Sequence, residues 1–100
     1  MTQHKTDSEW LAPYRAQIDD IDNQIIDLLG KRFAIVKEVG ALKTREGLKI
    51  EQTGRVEEVK ERNAARAARY GFPPEIIRQI YTILIDYAHT LEYNIKDKGA

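Results

Sequence analysis

The sequence predicts an all-α protein with three helices per chain, the first of them very long. Large apolar residues recur at alternating steps of three and four along three stretches, which is the spacing of one helix face. Apolar and polar residues nowhere alternate with the period of two that is typical of a strand, so we expect no sheet. A chain of 100 residues has the length of one domain, 1–100, with an ordered core at about 8–96.

The first helix is predicted to begin just after residues 1–7, which are expected to be frayed, and to run to about Lys43. Asp7 and Ser8 are the candidate caps for its start, because both side chains can accept hydrogen bonds from backbone N–H groups. Its apolar stripe consists of Leu11, Tyr14, Ile18, Ile21, Ile25, Leu28, Ile35, Val39 and Leu42. Two glycines interrupt this helix only mildly, and each indicates a point of close packing: Gly30 and Gly40.

Two shorter helices follow, over about Gly54–Tyr70 and about Pro74–Lys96. The segment Thr44–Thr53 contains a glycine and mixed charges and is predicted to be a loop. Gly71 suits the residue that ends the second helix. The apolar sides are predicted to be Val56, Val59, Asn63 and Ala67 in the second helix, and Ile77, Ile80, Tyr81, Leu84, Ala88, Leu91 and Ile95 in the third.

The length of the first helix predicts assembly with a second chain. Some thirty residues at 1.5 Å each form a rod of about 50 Å. A compact domain of this size has a radius of gyration near 13 Å, which is about a quarter of the length of that rod. The remaining helical residues of one chain cannot cover such a rod, so its apolar stripe would be shared in an intertwined homodimer. The alternative is a break near Gly30 that folds the rod into a monomeric bundle.

Composition excludes several classes of function. Acidic and basic residues balance at 16 each, so no bulk positive field attracts nucleic acid or an anionic membrane. The chain has no cysteine, and its two histidines, His4 and His89, cannot form a zinc site by themselves. No apolar run approaches a membrane span and no signal-peptide pattern is visible. We expect a cytoplasmic protein without a bound metal.

Two cations occupy the apolar stripe of the first helix. Arg32 takes the position after Leu28 where the spacing calls for a hydrophobic residue, and Lys43 follows eleven residues later. Eleven residues are about three turns, so both side chains lie on one face, on the order of 16 Å apart. Burying them is costly unless an anion meets them, which suggests a pocket for a small acid. Alternatively, both side chains extend to solvent.

Other candidate residues are ambiguous from pattern alone. Arg55 lies in the first turn of the second helix, where backbone N–H groups can help to hold a carboxylate, although a solvated charge is the simpler interpretation. Glu92 lies at the edge of the third apolar stripe, and an exposed carboxylate is the more frequent case. His89 and Asp86 look like outer-face residues. Tyr81 and Tyr87 are interpreted as core residues.

The sequence resembles the all-helical chorismate mutases over about residues 11–95. The first helix reads YRAQIDDIDNQIIDLLGKRF from Tyr14 and VKEVGALK up to Lys43, and the third contains IIRQIYTILIDY. Four cations at fixed separations make the resemblance specific: Arg15, Arg32, Lys43 and Arg55. The resemblance implies three helices per chain in an intertwined homodimer, with two active sites that are each built from both chains. It also implies a Claisen rearrangement of chorismate to prephenate that needs no cofactor.

The resemblance also implies residue roles. Arg15 of the partner chain and Arg32 would hold the two carboxylates of the substrate, and Lys43 would donate to the ether oxygen whose bond breaks. Glu92 stands where such enzymes often have a glutamine that donates to the same oxygen, so it would have to be protonated. The implied catalytic residues are Lys43, Glu92 and Arg32. The implied substrate-binding residues are Arg15, Arg32, Lys43, Arg55, Val56, Gln52, Ala88 and Glu92.

Val56 leaves alternative functions open, because the resembling mutases commonly have a glutamate at that position, which touches the ring hydroxyl of the substrate. Isochorismate pyruvate-lyases, which make salicylate and pyruvate, use the same scaffold and often have an apolar residue there. A 4-amino-4-deoxychorismate mutase is a further possibility, since the segment AHTLE that ends at Glu92 resembles that group. The non-enzymatic alternative is a helical dimerisation module, which explains the long stripe but not the four cations.

Overall fold

The computed structural model describes residues 4–99, and within that range it contains three α-helices and no strand. Helix α1 is Asp7–Glu46, α2 is Thr53–Arg69 and α3 is Pro74–Gly99. The predicted all-α fold with three helices is confirmed. Two helices extend beyond their predicted ends: α1 continues to Glu46, through the start of the predicted loop, and α3 continues to Gly99.

Thr6 caps the start of α1, so the prediction that Asp7 or Ser8 would do so is wrong. Thr6 Oγ1 accepts a hydrogen bond from the backbone N–H of Glu9 at 3.2 Å and donates to its carboxylate at 3.1 Å. The residues T-x-x-E form the sequence of a capping box. Fraying was expected for residues 1–7. That is wrong for Asp7, which is helical, and residues 1–3 lie outside the described residues.

The chain divides into two compact units, one ending at Arg32 and the other beginning at Phe33. The first unit is helical from Asp7 onward, and its apolar side chains are exposed within a single chain. Their exposed fractions range from 41% at Leu11 to 66% at Tyr14 and Ile26. The other members of this exposed face are Trp10, Ile18, Ile21, Ile25 and Leu28.

In the second unit, α2 packs against α3, and these two helices together supply most of the buried side chains. The buried apolar residues are Ile50 of the loop, Val59, Ala64 and Ala67 of α2, and Ile85 and Ala88 of α3. Ile85 was missing from the predicted stripe of α3. At the surface, Arg78 Nε donates to both carboxylate oxygens of Glu61, at 3.1 and 2.8 Å, which links the two helices.

Glycines at two places shape this second unit. Gly71 adopts a φ of 80° and ends α2 as predicted, since its N–H donates to the carbonyl of Ala68. Gly40 is buried, and a Cβ there would lie 3.2 Å from Cα of Glu92 and from Cδ1 of Ile95. The predicted close packing at Gly40 is therefore confirmed. At Gly30 a Cβ would meet nothing within 4 Å among the described residues, so that prediction is wrong for a single chain.

Candidate functional site

A cavity of about 290 Å³ opens in the second unit, where the last turns of α1, the loop after it, the start of α2 and one residue of α3 meet. Its wall consists of Val39, Leu42, Lys43, Leu48, Ile50, Gln52, Arg55, Val56 and His89. Four of the predicted substrate-binding residues are therefore brought together: Lys43, Gln52, Arg55 and Val56. The rest of the wall is mainly apolar, which suits the ring of a small carbocyclic acid better than a fully polar solute.

Lys43 is fixed in this cavity by two partners. Its Nζ donates to the carbonyl oxygen of Ile50 at 2.6 Å and lies 2.7 Å from Oε1 of Glu92. The Lys43 side chain is 15% exposed, so the interpretation that it extends to solvent is wrong. The ammonium group has three donor hydrogens, one of which is used in the hydrogen bond to Ile50.

Glu92 is buried, with an exposed fraction of 4%, although the sequence favoured an exposed carboxylate at this position. It can approach α1 because Gly40 has no side chain: a Cβ there would lie 3.2 Å from Cγ of Glu92. A buried carboxylate requires a counter-charge, which Lys43 supplies. The combination of a helical glycine and a lysine three residues later was the signal in the sequence that could have placed Glu92 inside.

The start of α2 carries the remaining cation of the cavity. Arg55 lies in the first turn of α2, and its guanidinium pairs with the carboxylate of Glu58 at an exposed site. Gln52 is the residue before α2. Its carbonyl accepts from the N–H of Val56 at 3.0 Å, and its side-chain amide donates to the carbonyl of Lys49 at 3.1 Å. Val56 is half-buried and adds an apolar surface to the wall.

The other predicted site residues lie elsewhere on the helices. Arg15 is exposed and Arg32 is half-buried, and both belong to the first unit. Ala88 is buried on α3, four residues before Glu92.

His89 is a cavity residue that the sequence analysis missed. It was expected on the outer face of α3, but it is half-buried and contributes to the cavity wall. Its Nδ1 lies 3.8 Å from Oε1 of Glu51, and the hydroxyl of Tyr93 donates to Oε2 of the same carboxylate at 2.6 Å. The hydrogen bond to Glu51 raises the pKa of the Tyr93 hydroxyl, because losing the proton would place two anions together. Asp86 is exposed, as predicted.

Within residues 4–99, no cluster of three or more histidine, cysteine or carboxylate side chains has the arrangement of a metal site. None of the three helices there combines the length and the apolar composition that crossing a membrane requires.

Comparison with known proteins shows the family to which the chain belongs. The profile of the family described as chorismate mutase type II matches residues 14–93. The chain is 30% identical over 84 residues to a chorismate mutase of Methanocaldococcus jannaschii, covering 84% of this chain and 85% of that protein. It is also 30% identical over 80 residues to a 4-amino-4-deoxychorismate mutase of Streptomyces venezuelae, covering 80% of this chain and 78% of that protein.

A longer relative matches over one part of its length. The T-protein of Enterobacter agglomerans is 35% identical over 89 residues, which are 89% of this chain but only 23% of that protein. This chain therefore spans about a quarter of the T-protein. No solved structure gives a significant match. Because the family profile covers most of the chain, including Lys43, Arg55 and Glu92, the chain belongs to the chorismate mutase type II family.

Proposed function

We propose that this protein is a chorismate mutase, which rearranges chorismate to prephenate in one intramolecular step. The observation that carries the proposal is the position of Lys43, whose ammonium group is held inside a mainly apolar cavity by Glu92 and Ile50. Negative charge develops on the ether oxygen as the C–O bond breaks. A cation already held in place stabilises that charge without the cost of rearranging water.

The rest of the mechanism is conformational. In this rearrangement the C–O bond breaks while a C–C bond forms between the two ends of the same molecule, so the flexible substrate must be folded into a chair-like form. Guanidinium groups bind carboxylates in a fixed, bidentate geometry, and Arg32 and the Arg15 of a second chain are proposed to hold the two substrate carboxylates. Arg55, at the cavity wall, is proposed to add a further positive charge. Such positioning lowers the entropic part of the barrier.

Glu92 is proposed to assist Lys43. As a carboxylate it fixes the ammonium group at 2.7 Å, and as a carboxylic acid it could donate to the ether oxygen itself. The two states predict different effects of Glu92→Gln. If the acid form acts, the glutamine amide replaces its donor and activity survives. If the carboxylate is needed to hold Lys43, the glutamine variant loses activity at all pH values.

A homodimer is proposed to complete the site, because the apolar face of the first unit from Trp10 to Leu28 is exposed in one chain. Exposed apolar faces of this kind mark interaction surfaces. Ile18→Lys and Ile21→Lys would place a charge in that interface. We expect each to shift the protein toward monomer in sedimentation velocity and to abolish mutase activity. A variant that remains dimeric and active would contradict this role for the first unit.

The second candidate is 4-amino-4-deoxychorismate mutase, favoured by the match over most of both chains to the Streptomyces enzyme of that name. The chemical step is the same, and the substrate carries an amine in place of the ring hydroxyl. The carboxylate of Glu51, next to His89, is a candidate to attract a ring ammonium.

The test is to give the purified protein chorismate, 4-amino-4-deoxychorismate and isochorismate in separate reactions. We expect prephenate from chorismate at a kcat/KM of about 10⁴ M⁻¹s⁻¹ or more. A higher efficiency with the amino substrate would select the second candidate. Salicylate and pyruvate from isochorismate, with little prephenate from chorismate, would identify a lyase and give a role to the apolar Val56. No turnover of any of the three would favour a dimerisation module.

Arg32→Ala separates an enzyme from a structural module. For an enzyme, this substitution should abolish turnover with little loss of folding stability. For a module, it should leave the free energy of unfolding unchanged or increase it. Arg62→Ala is the matched control, because Arg62 is an exposed arginine of α2 outside the cavity wall. It should leave kcat/KM unchanged.

A further inference from the structure

The cavity has a polar corner that the proposed mechanism does not use. His89 contributes to the wall, Glu51 lies beside its Nδ1 at 3.8 Å, and Tyr93 donates to Glu51 at 2.6 Å. The three residues come from two elements, since Glu51 is in the loop before α2 and the other two are on α3. The tyrosine thus anchors one oxygen of the carboxylate and leaves the other facing the imidazole.

The neighbours of the two imidazole nitrogens determine which of them can accept a hydrogen bond. A neutral histidine has one nitrogen that donates and one that accepts, and the neighbour of one nitrogen decides which is which. Glu51 lies 3.8 Å from Nδ1, too far for a hydrogen bond, but its negative charge favours the tautomer with the proton on Nδ1, in which Nε2 is the acceptor. Among the described residues, none hydrogen-bonds to Nε2.

Few side chains in the cavity wall can accept a hydrogen bond. Lys43 and Arg55 are donors only, and five of the other wall residues are aliphatic. Gln52 has an acceptor oxygen, but its side chain is exposed and its amide is engaged with the Lys49 carbonyl. His89 is half-buried, which makes it the wall residue suited to accept from a bound molecule.

We propose that His89, oriented by Glu51, accepts a hydrogen bond from the substituent on the substrate's ring and so determines which ring-substituted acid is bound. The ligand class is a cyclic dicarboxylate that carries a hydroxyl or an amine on its ring. This inference rests on the proposed function. His89 touches the substrate, whereas Glu51 is a positioning residue that acts through His89 and, for an amine, also supplies negative charge.

The first test compares two substitutions at His89. His89→Leu removes the acceptor and keeps an apolar side chain of moderate size, so kcat/KM for chorismate should fall roughly tenfold, as for a lost hydrogen bond. Most of this loss should appear in KM, because the ring substituent does not take part in bond breaking. His89→Gln keeps an acceptor oxygen and should restore most of the activity. His4→Ala, at the other histidine, is exposed and should have no effect.

The second test changes Glu51, which lies at the surface. Glu51→Gln still accepts from Tyr93 but removes the negative charge, and a substitution at an exposed position should preserve the fold. The ratio of kcat/KM for 4-amino-4-deoxychorismate to that for chorismate should fall severalfold. A merely structural role for Glu51 would lower both values together and leave the ratio unchanged.

The outcomes separate this inference from the function on which it rests. If the unchanged protein is active and His89→Leu keeps both its kcat/KM and its substrate ratio, the inference is overturned and the mutase proposal stands. If the unchanged protein converts none of the substrates, both this inference and the mutase proposal are overturned. If His89→Leu fails to fold by circular dichroism, Glu51→Gln decides: an unaltered substrate ratio in that variant overturns the inference.

Discussion

Nζ of Lys43 lies 2.7 Å from Oε1 of Glu92, and both side chains are largely withdrawn from solvent. Such a pair gives little net stability, because the cost of removing two charges from water offsets their attraction. Removing one partner alone is far more harmful than removing both. Stability and activity measurements on the same variants can therefore distinguish the structural role of the pair from its proposed catalytic role.

We predict that Lys43→Ala destabilises the fold by about 3–5 kcal/mol, since it leaves the Glu92 carboxylate buried without a counter-charge. The double variant Lys43→Ala/Glu92→Gln should recover much of that stability but none of the mutase activity. Urea unfolding followed by circular dichroism measures the first quantity, and prephenate formation the second. If Lys43→Ala alone is as stable as the unchanged protein, that result would contradict the burial of this pair.

Gly40 allows Glu92 to approach α1, and its substitution should expose two opposing effects. Gly40→Ala gains about 1 kcal/mol of helix propensity but loses about 1–3 kcal/mol to overpacking against the backbone of Glu92. The net effect is expected to lie between neutral and about 2 kcal/mol destabilising, with reduced activity because Glu92 is displaced. Gly54→Ala is the control, because a Cβ there meets nothing within 4 Å. If Gly40→Ala and Gly54→Ala change the melting temperature equally, the close approach of Gly40 to Glu92 is refuted.

The ion pair between Glu61 and Arg78 makes stability depend on pH in the acid range. The hydrogen bond from Arg78 lowers the pKa of Glu61 below its usual 4.5. A carboxyl group with a lowered pKa in the folded state contributes stability above its unfolded pKa and loses that contribution as pH falls through the folded pKa. Arg78→Ala should therefore lower the melting temperature at pH 7 and have less effect near pH 3.

Glu61→Gln provides the control for this pH dependence. In that background, Arg78→Ala should have the same small effect at pH 7 and at pH 3, apart from the weaker contact of Arg78 with Glu75 at 3.3 Å. A pH-dependent effect of Arg78→Ala that persists with glutamine at position 61 would assign it to another carboxyl group.

The helices could be predicted from the sequence because their apolar residues recur with helical spacing, and Gly71 was identified correctly as the end of α2. The site was harder to predict, because whether a polar side chain is buried depends on what packs opposite it. Glu92 is buried only because Gly40 faces it, and His89 enters the cavity wall although a polar residue on a helix is usually exposed. The spacing of apolar residues shows which face of one helix is buried, but not which residues of the neighbouring helix pack against that face.

The hydroxyl of Tyr93 tests the polar corner without any substrate. Its hydrogen bond to Glu51 raises its pKa above the usual 10.0, so Tyr93 should lose its proton at a higher pH than an unpaired tyrosine. Absorbance at alkaline pH should therefore show a tyrosine step that titrates late. This late step should vanish in Tyr93→Phe, move to lower pH in Glu51→Gln and persist in Tyr70→Phe, since Tyr70 is 75% exposed. A late step unchanged by Glu51→Gln would show that this carboxylate does not hold Tyr93, and would remove the anchor proposed to orient His89.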